Sequence, residues 1–188
     1  MVQFKLQSIV CLIFLLSVII FGQTEKQNKT IPSRNIHVII IKSSGNCTVR
    51  TNSQNDINLD ADLTKTGTVI GYKNITTPPL NIMTEGHNDT IIVTTTPINK
   101  VVAIGYSTYT ENLELNITLP LTINKIKVEC KNILRADLTQ QNVGSILFDA
   151  RSEIFFNGVE KNQGFEFGGT GPQNFNLKAD KINVIVKK

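Results

Sequence analysis

Ile126-Lys127-Val128, Ile146-Leu147-Phe148, Phe165-Glu166-Phe167 and Ile182-Asn183-Val184 are four short segments with apolar pairs at alternate positions, 17 to 20 residues apart in the last third of the chain. Between them lie further short alternations, Leu134-Arg135-Ala136-Asp137-Leu138, Ile154-Phe155-Phe156 and Phe175-Asn176-Leu177-Lys178-Ala179. A period of two puts alternate side chains on one face of a strand. Two short strands per repeat make a unit too small to bury its own apolar face. Stacked on its neighbours, such a unit contributes to a continuous core whose rungs are hydrogen-bonded edge to edge. The uneven spacing is absorbed at turn segments, Asn142-Val143-Gly144, Asn157-Gly158 and Gly168-Gly169-Thr170-Gly171-Pro172. The pattern predicts a β-solenoid of short stacked rungs. The alternative is a β-sandwich or meander, because antiparallel strands with turn signals can repeat at a similar interval.

Working back toward the N-terminus, period two persists. Asn35–Lys42 (NIHVIIIK), Cys47–Arg50, Asp56–Leu63 (DINLDADL), Gly67–Tyr72, Thr90–Thr96 (TIIVTTT), Lys100–Gly105 and Leu113–Leu119 (LELNITL) all read as strands. Val, Ile and Thr dominate them, residue types that pack well on a pleated surface. No window keeps the spacing of an amphipathic helix beyond two turns, so the chain is expected to be all-β.

Before the first of these strands the character changes. Lys5 precedes the apolar run Ile9–Phe21 (IVCLIFLLSVIIF), Gly22 offers a small residue for cleavage, and polar residues follow. The run has the length of a signal-peptide core and is short for a bilayer-spanning helix of about 20 residues. Ile20 occupies a position where signal peptidase prefers a small residue, so the alternative is an uncleaved N-terminal anchor. Cys11 has no lipobox around it. The expected organisation is a signal peptide over 1–22, a polar linker over 23–34 ending in Pro32-Ser33-Arg34, and one β-domain over 35–188. Such a product is exported, to a periplasm, a cell surface or the medium, with no transmembrane span once the signal is removed.

Composition narrows the partners. The chain carries 19 basic and 15 acidic residues, and residues 1–22 hold one of the bases and none of the acids. A small, scattered excess does not make the basic stripe that nucleic acid requires. With no tryptophan and three tyrosines there is little material for a stacking platform. The expected partners are a glycan or an envelope protein, and the oligomeric state is open.

Candidate chemistry is sparse. Cys47 alternates with Val49, and Cys130 with Val128 and Ile126, so each falls on an apolar strand face. In an oxidising compartment they can pair as a disulfide, or they can remain separate buried thiols. His37 and His87 fall outside any ligand spacing, so the two cysteines do not make a zinc site. No Gly-x-Ser-x-Gly elbow is present. Asp60, Asp62, Glu111 and Glu114 could supply a carboxylate pair for sugar chemistry, but neighbouring acids on a strand are ordinarily a solvated face. Glu85-Gly86-His87-Asn88-Asp89 lacks the spacing of a calcium loop and reads as a turn. Gly168-Gly169-Thr170-Gly171 lacks the lysine and the following helix of a phosphate loop. Five N-x-S/T sequons, at Asn28, Asn46, Asn74, Asn88 and Asn116, stand against about three expected from composition alone. No catalytic, cofactor or metal residue is assigned, and a non-enzymatic protein is expected.

Two segments carry a resemblance. Ile36 to Val49, with its strand and Ser44-Gly45-Asn46 turn, leads into Ile57-Asn58-Leu59-Asp60-Ala61. This resembles the opening of the bacterial putative adhesin domains, including the head-GIN putative auto-transporter adhesins. Leu115-Asn116-Ile117-Thr118-Leu119-Pro120 resembles their mid-domain strand ending in proline, and the likeness extends over roughly 35–188. Where those proteins repeat a Ser-Gly-rich turn in each rung, this chain has Glu129-Cys130-Lys131-Asn132, Asp149-Ala150-Arg151-Ser152 and Gly168-Gly169-Thr170-Gly171. The resemblance implies a right-handed β-solenoid at a bacterial envelope or surface, with adhesion or binding as its role. An envelope module without an external ligand is the alternative, and a polysaccharide hydrolase or lyase the remote one.

Overall fold

The computed structural model describes residues 18–70, 78–98, 102–104 and 107–188, with the backbone alone at 18–21, 68–70, 102–104 and 107. Within them run β1 (Val18–Pro32), β2 (Val38–Ser43), β3 (Asn46–Asn52), β4 (Asp56–Ile70), β5 (Ile82–His87), β6 (Thr90–Thr95) and β7 (Val102–Ile104). They are followed by β8 (Ser107–Pro120), β9 (Lys125–Cys130), β10 (Ile133–Thr139), β11 (Val143–Phe156), β12 (Val159–Lys161), β13 (Glu166–Gly168) and β14 (Gln173–Lys187). One turn of 3-10 helix, Gln140–Asn142, is the only helical element among the described residues. No helix among them is long and apolar enough to cross a membrane.

All fourteen strands belong to one mixed sheet, which curls into a nearly closed, barrel-like fold. Its two halves are parallel ladders joined by rungs that pass from one half to the other. Three rungs are β2 with β3, β9 with β10, and β6 with the C-terminal half of β8. The long strands β11 and β14 each form a rung alone, pairing in one half through their first residues and in the other through their last. In β14 the buried face runs Gln173, Phe175, Leu177, Ala179 and then shifts by one to Ile182 and Val184. Asp180 and Lys181 mark the corner, and both donate their N–H to the Asn132 carbonyl of the neighbouring corner, at 2.9 and 3.0 Å.

The apolar alternation becomes rows of contacts. In the first half, Ile91, Ile39, Ile126, Phe175 and Ile146 stand side by side across five strands. Val93, Ile41, Val128, Leu177 and Phe148 form the next row. In the second half, Leu115, Cys47, Leu134, Ile182 and Ile154 make the matching row. All of these belong to a single buried cluster. Each such side chain taken from water contributes about 1.5–3 kcal/mol, more than strand propensity can.

The expectation of an all-β chain holds, but the architecture is not a one-directional solenoid. From one end the rungs stack as β6/β8, β2/β3, β9/β10, β14 and β11. In the chain they occur as β2/β3, β6/β8, β9/β10, β11 and β14. The stacking order is therefore exchanged at both ends. The reason is local: β4 turns antiparallel onto β8, and the hairpin elements β12 and β13 lie antiparallel on β11. Phe156 and Phe165 from this region pack on Phe148 and on each other, and Phe167 packs on Phe156, with ring centroids 4.9–6.2 Å apart; all three lie against the core. The β11–β12 hairpin turns at Asn157-Gly158, both with positive φ (51° and 78°), as a two-residue turn that fits the strand twist requires.

Residues 23–32 are not a linker. They form most of β1, paired antiparallel along β4. Apart from Ile31, which packs against the core, the inward side chains of β1 after Gly22 are polar, which is why the segment lacks an apolar alternation. Glu25 and Gln27 accept the N–H groups of Leu80 and Ile82 at 2.8 and 2.6 Å, and Lys29 donates to the Ile82 carbonyl and to Thr84 Oγ1 at 3.3 and 2.8 Å. Since β1 and β5 are opposite ends of the strand order, these side chains bridge the seam that backbone pairing leaves open. Residues 1–17 of the expected signal peptide lie outside the described residues. The backbone of Val18–Gly22 pairs with Thr66–Ile70, and every seam residue lies after Gly22.

Candidate functional site

The outward residues of the first half-sheet are set by the same registers as its core. Three rows cross β6, β2, β9, β14 and β11: Thr90, Val38, Lys125, Asn174, Ser145; then Ile92, Ile40, Lys127, Asn176, Leu147; then Thr94, Lys42, Glu129, Lys178, Asp149. Strand alternation makes this face inevitable once Ile39, Ile41, Ile126 and Val128 are buried. The middle row keeps apolar side chains at the surface, Leu147 being 42% exposed. The third row alternates in charge. Lys178 lies 2.7 Å from Asp149 on the neighbouring strand, and Lys127 reaches along β9 to Glu129 at 2.8 Å.

Two shallow clefts adjoin on this face. One, of about 380 Å³, is lined by Val38, Ile40, Lys125, Lys127, Leu147 and Asn176 among others. The other, of about 350 Å³, lies beside the corners and is lined by Lys42, Lys131, Arg151 and Lys178, with Ser44, Glu129 and Cys130. Six cations and one acid line the two clefts. The Lys127 hydrogen bond, aided by Lys42 and Lys178, holds the Glu129 carboxyl below the usual carboxylate range. That acid therefore stays charged and neutralises part of the field. Lys42, Lys125, Lys131 and Arg151 have no acid within salt-bridge distance among the described residues.

The residues weighed in the sequence fall in separate places. Asp60, Asp62 and Glu114 sit on the outward face of β4 and β8, where Asp62 and Glu114 are register partners, while Glu111 points inward and is buried. They do not converge on a shared groove. Glu85-Gly86-His87 ends β5, and Asn88-Asp89 is a tight hairpin turn with Asn88 at φ 54°. His37 and His87 are exposed on the surface. Among the described residues no three His, Cys, Asp or Glu side chains gather as a metal would need. Cys47 and Cys130 are free thiols, both buried, and the structure brings them together at one corner. The cation-lined face has no signal in the sequence, because its lysines are far apart along the chain and only the rung register aligns them.

No protein-family model matches the chain, and no curated protein matches it. Among solved structures, one described as a putative cell adhesion protein from Clostridium sporogenes is 12% identical. It covers 88% of this chain and 100% of its own, with a TM-score of 0.42. Another, a putative adhesin from Bacteroides fragilis, is also 12% identical, covers 88% and 97%, and has a TM-score of 0.35. At those scores neither likeness carries a functional argument.

Proposed function

We propose that the chain is an exported, non-enzymatic binding module of a cell envelope or surface, and that the outward face of its first half-sheet takes an acidic glycan. The carrying observation is the pair of adjoining clefts, with six cations to one acid and an apolar middle row. The cations come from several stacked rungs and gather around the two clefts, so that a polyuronate or sulfated polymer lying across the face meets more than one of them. Charge supplies most of the attraction, since the face offers no aromatic platform. The adhesin resemblance of the sequence agrees with this reading without deciding it. Export rests on the apolar run at 9–21.

Binding of dextran sulfate, with neutral dextran of the same length as control, tests the proposal. Retention of the full chain on dextran sulfate, weakening with salt, is expected. The triple variant K42E/K131E/R151E should bind at least about tenfold more weakly, because three unpaired cations become acids. Equal binding of the variant and the parent, or equal binding of both polymers, would overturn the reading.

A further inference from the structure

Cys130 ends β9 and Cys47 lies at the start of β3, on either side of the corner where the β2/β3 rung stacks on the β9/β10 rung. Cys130 is the register partner of Ser43, and Cys47 that of Leu134. The corners themselves are joined by the Asn132 N–H donating to the Gly45 carbonyl at 3.4 Å. Gly45 is required there, since a Cβ would collide with the Leu113 backbone carbonyl. The two thiols are neighbours across this corner, with the backbone N–H groups of Cys47 and Asn132 beside the Cys130 sulfur.

The pair is asymmetric. Cys47 has no exposed surface, whereas Cys130 keeps 8% and forms part of the wall of the 350 Å³ cleft. Around that wall stand Lys42, Lys131, Arg151 and Lys178. The Cys47 hydrogen bond, with the two backbone donors, holds the Cys130 thiol below its ordinary range, while burial pushes Cys47 well above it. A thiol reacts as its thiolate, and the neighbouring hydrogen-bond donors favour that form against burial and the Glu114 carboxylate; the cations of the cleft act on the incoming anion. One thiol is thus placed to meet a reagent from the cleft, with the second directly behind it.

We propose that Cys130 is a thiol-exchange site for small anionic disulfides entering the cation-lined cleft, and that Cys47 resolves the mixed disulfide into a Cys47–Cys130 bond. In the first step the Cys130 thiolate attacks one sulfur of the small disulfide, whose S–S bond breaks and releases one half as a thiolate. In the second, Cys47 attacks the Cys130 sulfur and expels the other half, which takes up the Cys47 proton. Two protein thiols are oxidised and one disulfide is reduced to two small thiols. The product ties two neighbouring rungs at their corner. The thiol readout is independent of polymer binding, so either proposal can fail alone.

Glutathione disulfide is the probe, on the full chain carrying Cys11→Ser, with acid quenching, maleimide counting and intact mass. The expected course is a transient single glutathione adduct on Cys130, followed by loss of both maleimide-reactive thiols. Cys47→Ser should stop at the adduct, and Cys130→Ser should take up none. At low salt the anionic probe should react faster than neutral hydroxyethyl disulfide by on the order of tenfold, relative to the same ratio in the denatured chain. If Cys47→Ser fails to fold, peptide mapping of the transient adduct in the parent chain still identifies the attacking cysteine. The proposal fails if Cys130 takes up glutathione only after denaturation, or if the adduct maps to Cys47.

Discussion

Phe175 and Leu177 on β14 face Ile126, Val128, Ile146 and Phe148 on the strands to either side, whereas Glu25, Gln27 and Lys29 on β1 face the backbone and side chains of residues 80–84. The first region holds itself by apolar rows that need only the right shape and period. The second closes a seam between two strand edges that cannot pair, so it uses side-chain donors and acceptors in place of ladder hydrogen bonds. Apolar rows tolerate many sequences, while the seam depends on a few polar groups each meeting its partner.

The largest effect expected from breaking this comparison lies in the rows. Phe175 is fully buried in its row, between Ile126 and Ile146. Phe175→Ala should cost about 3–5 kcal/mol, the loss of the ring plus the cavity it leaves. Urea denaturation checks this, and a cost under about 1 kcal/mol would mean that the rows are not the principal source of stability.

That difference also explains what is legible in the sequence. The rungs are visible because Ile126, Val128, Ile146, Phe148, Ile182 and Val184 recur as apolar pairs at alternate positions, the period of a sheet buried on one face. Their stacking order is not visible. Whether β14 or β11 lies next to β9 is decided by which strand edges match, and similar short alternations carry no address. β1 escapes a reading by period because its inward residues are Glu25, Gln27 and Lys29, which look like a linker until β5 is seen opposite. Cys47 and Cys130 are legible as two buried residues, and their contact is not, because it depends on two corners stacking. The cation-lined face is illegible for the same reason.

The seam should be the next most sensitive region. Lys65 is almost fully buried and lies 2.6 Å from Glu25, whose side chain is 26% exposed. Lys65→Met leaves that carboxylate without its cation and should cost about 2–3 kcal/mol, below the loss for a fully buried pair because water reaches Glu25. The pH dependence sharpens the contrast. The Lys65 hydrogen bond, followed by that from the Leu80 N–H, holds the Glu25 carboxyl below the usual range. As pH falls, the unfolded chain takes up this proton first. The stabilisation is therefore complete above the ordinary glutamate range and disappears as pH falls through that range to the lower folded value. Glu25→Gln should be less stable than the parent at neutral pH, with the difference shrinking on acidification. The cost of Phe175→Ala should stay constant over the same pH range. Denaturation series at several pH values distinguish the two, and a Glu25→Gln deficit independent of pH would remove the ion pair from the account of the seam.

The smallest effect belongs to an ion pair on the rungs themselves. Lys181 on β14 and Glu153 on β11 are register partners 3.0 Å apart, nearly the same contact as Lys65 with Glu25. Their side chains are 46% and 41% exposed, so water and salt screen the attraction and either charge is well solvated when alone. Lys181→Ala should change stability by no more than about 0.5 kcal/mol, with little further change when salt is raised. Equal losses from Lys181→Ala and Lys65→Met would mean that burial does not set the worth of these pairs. A loss confined to Lys65 places the difference in the surroundings of the pair, the polar seam on one side and the solvated outer face of the rungs on the other.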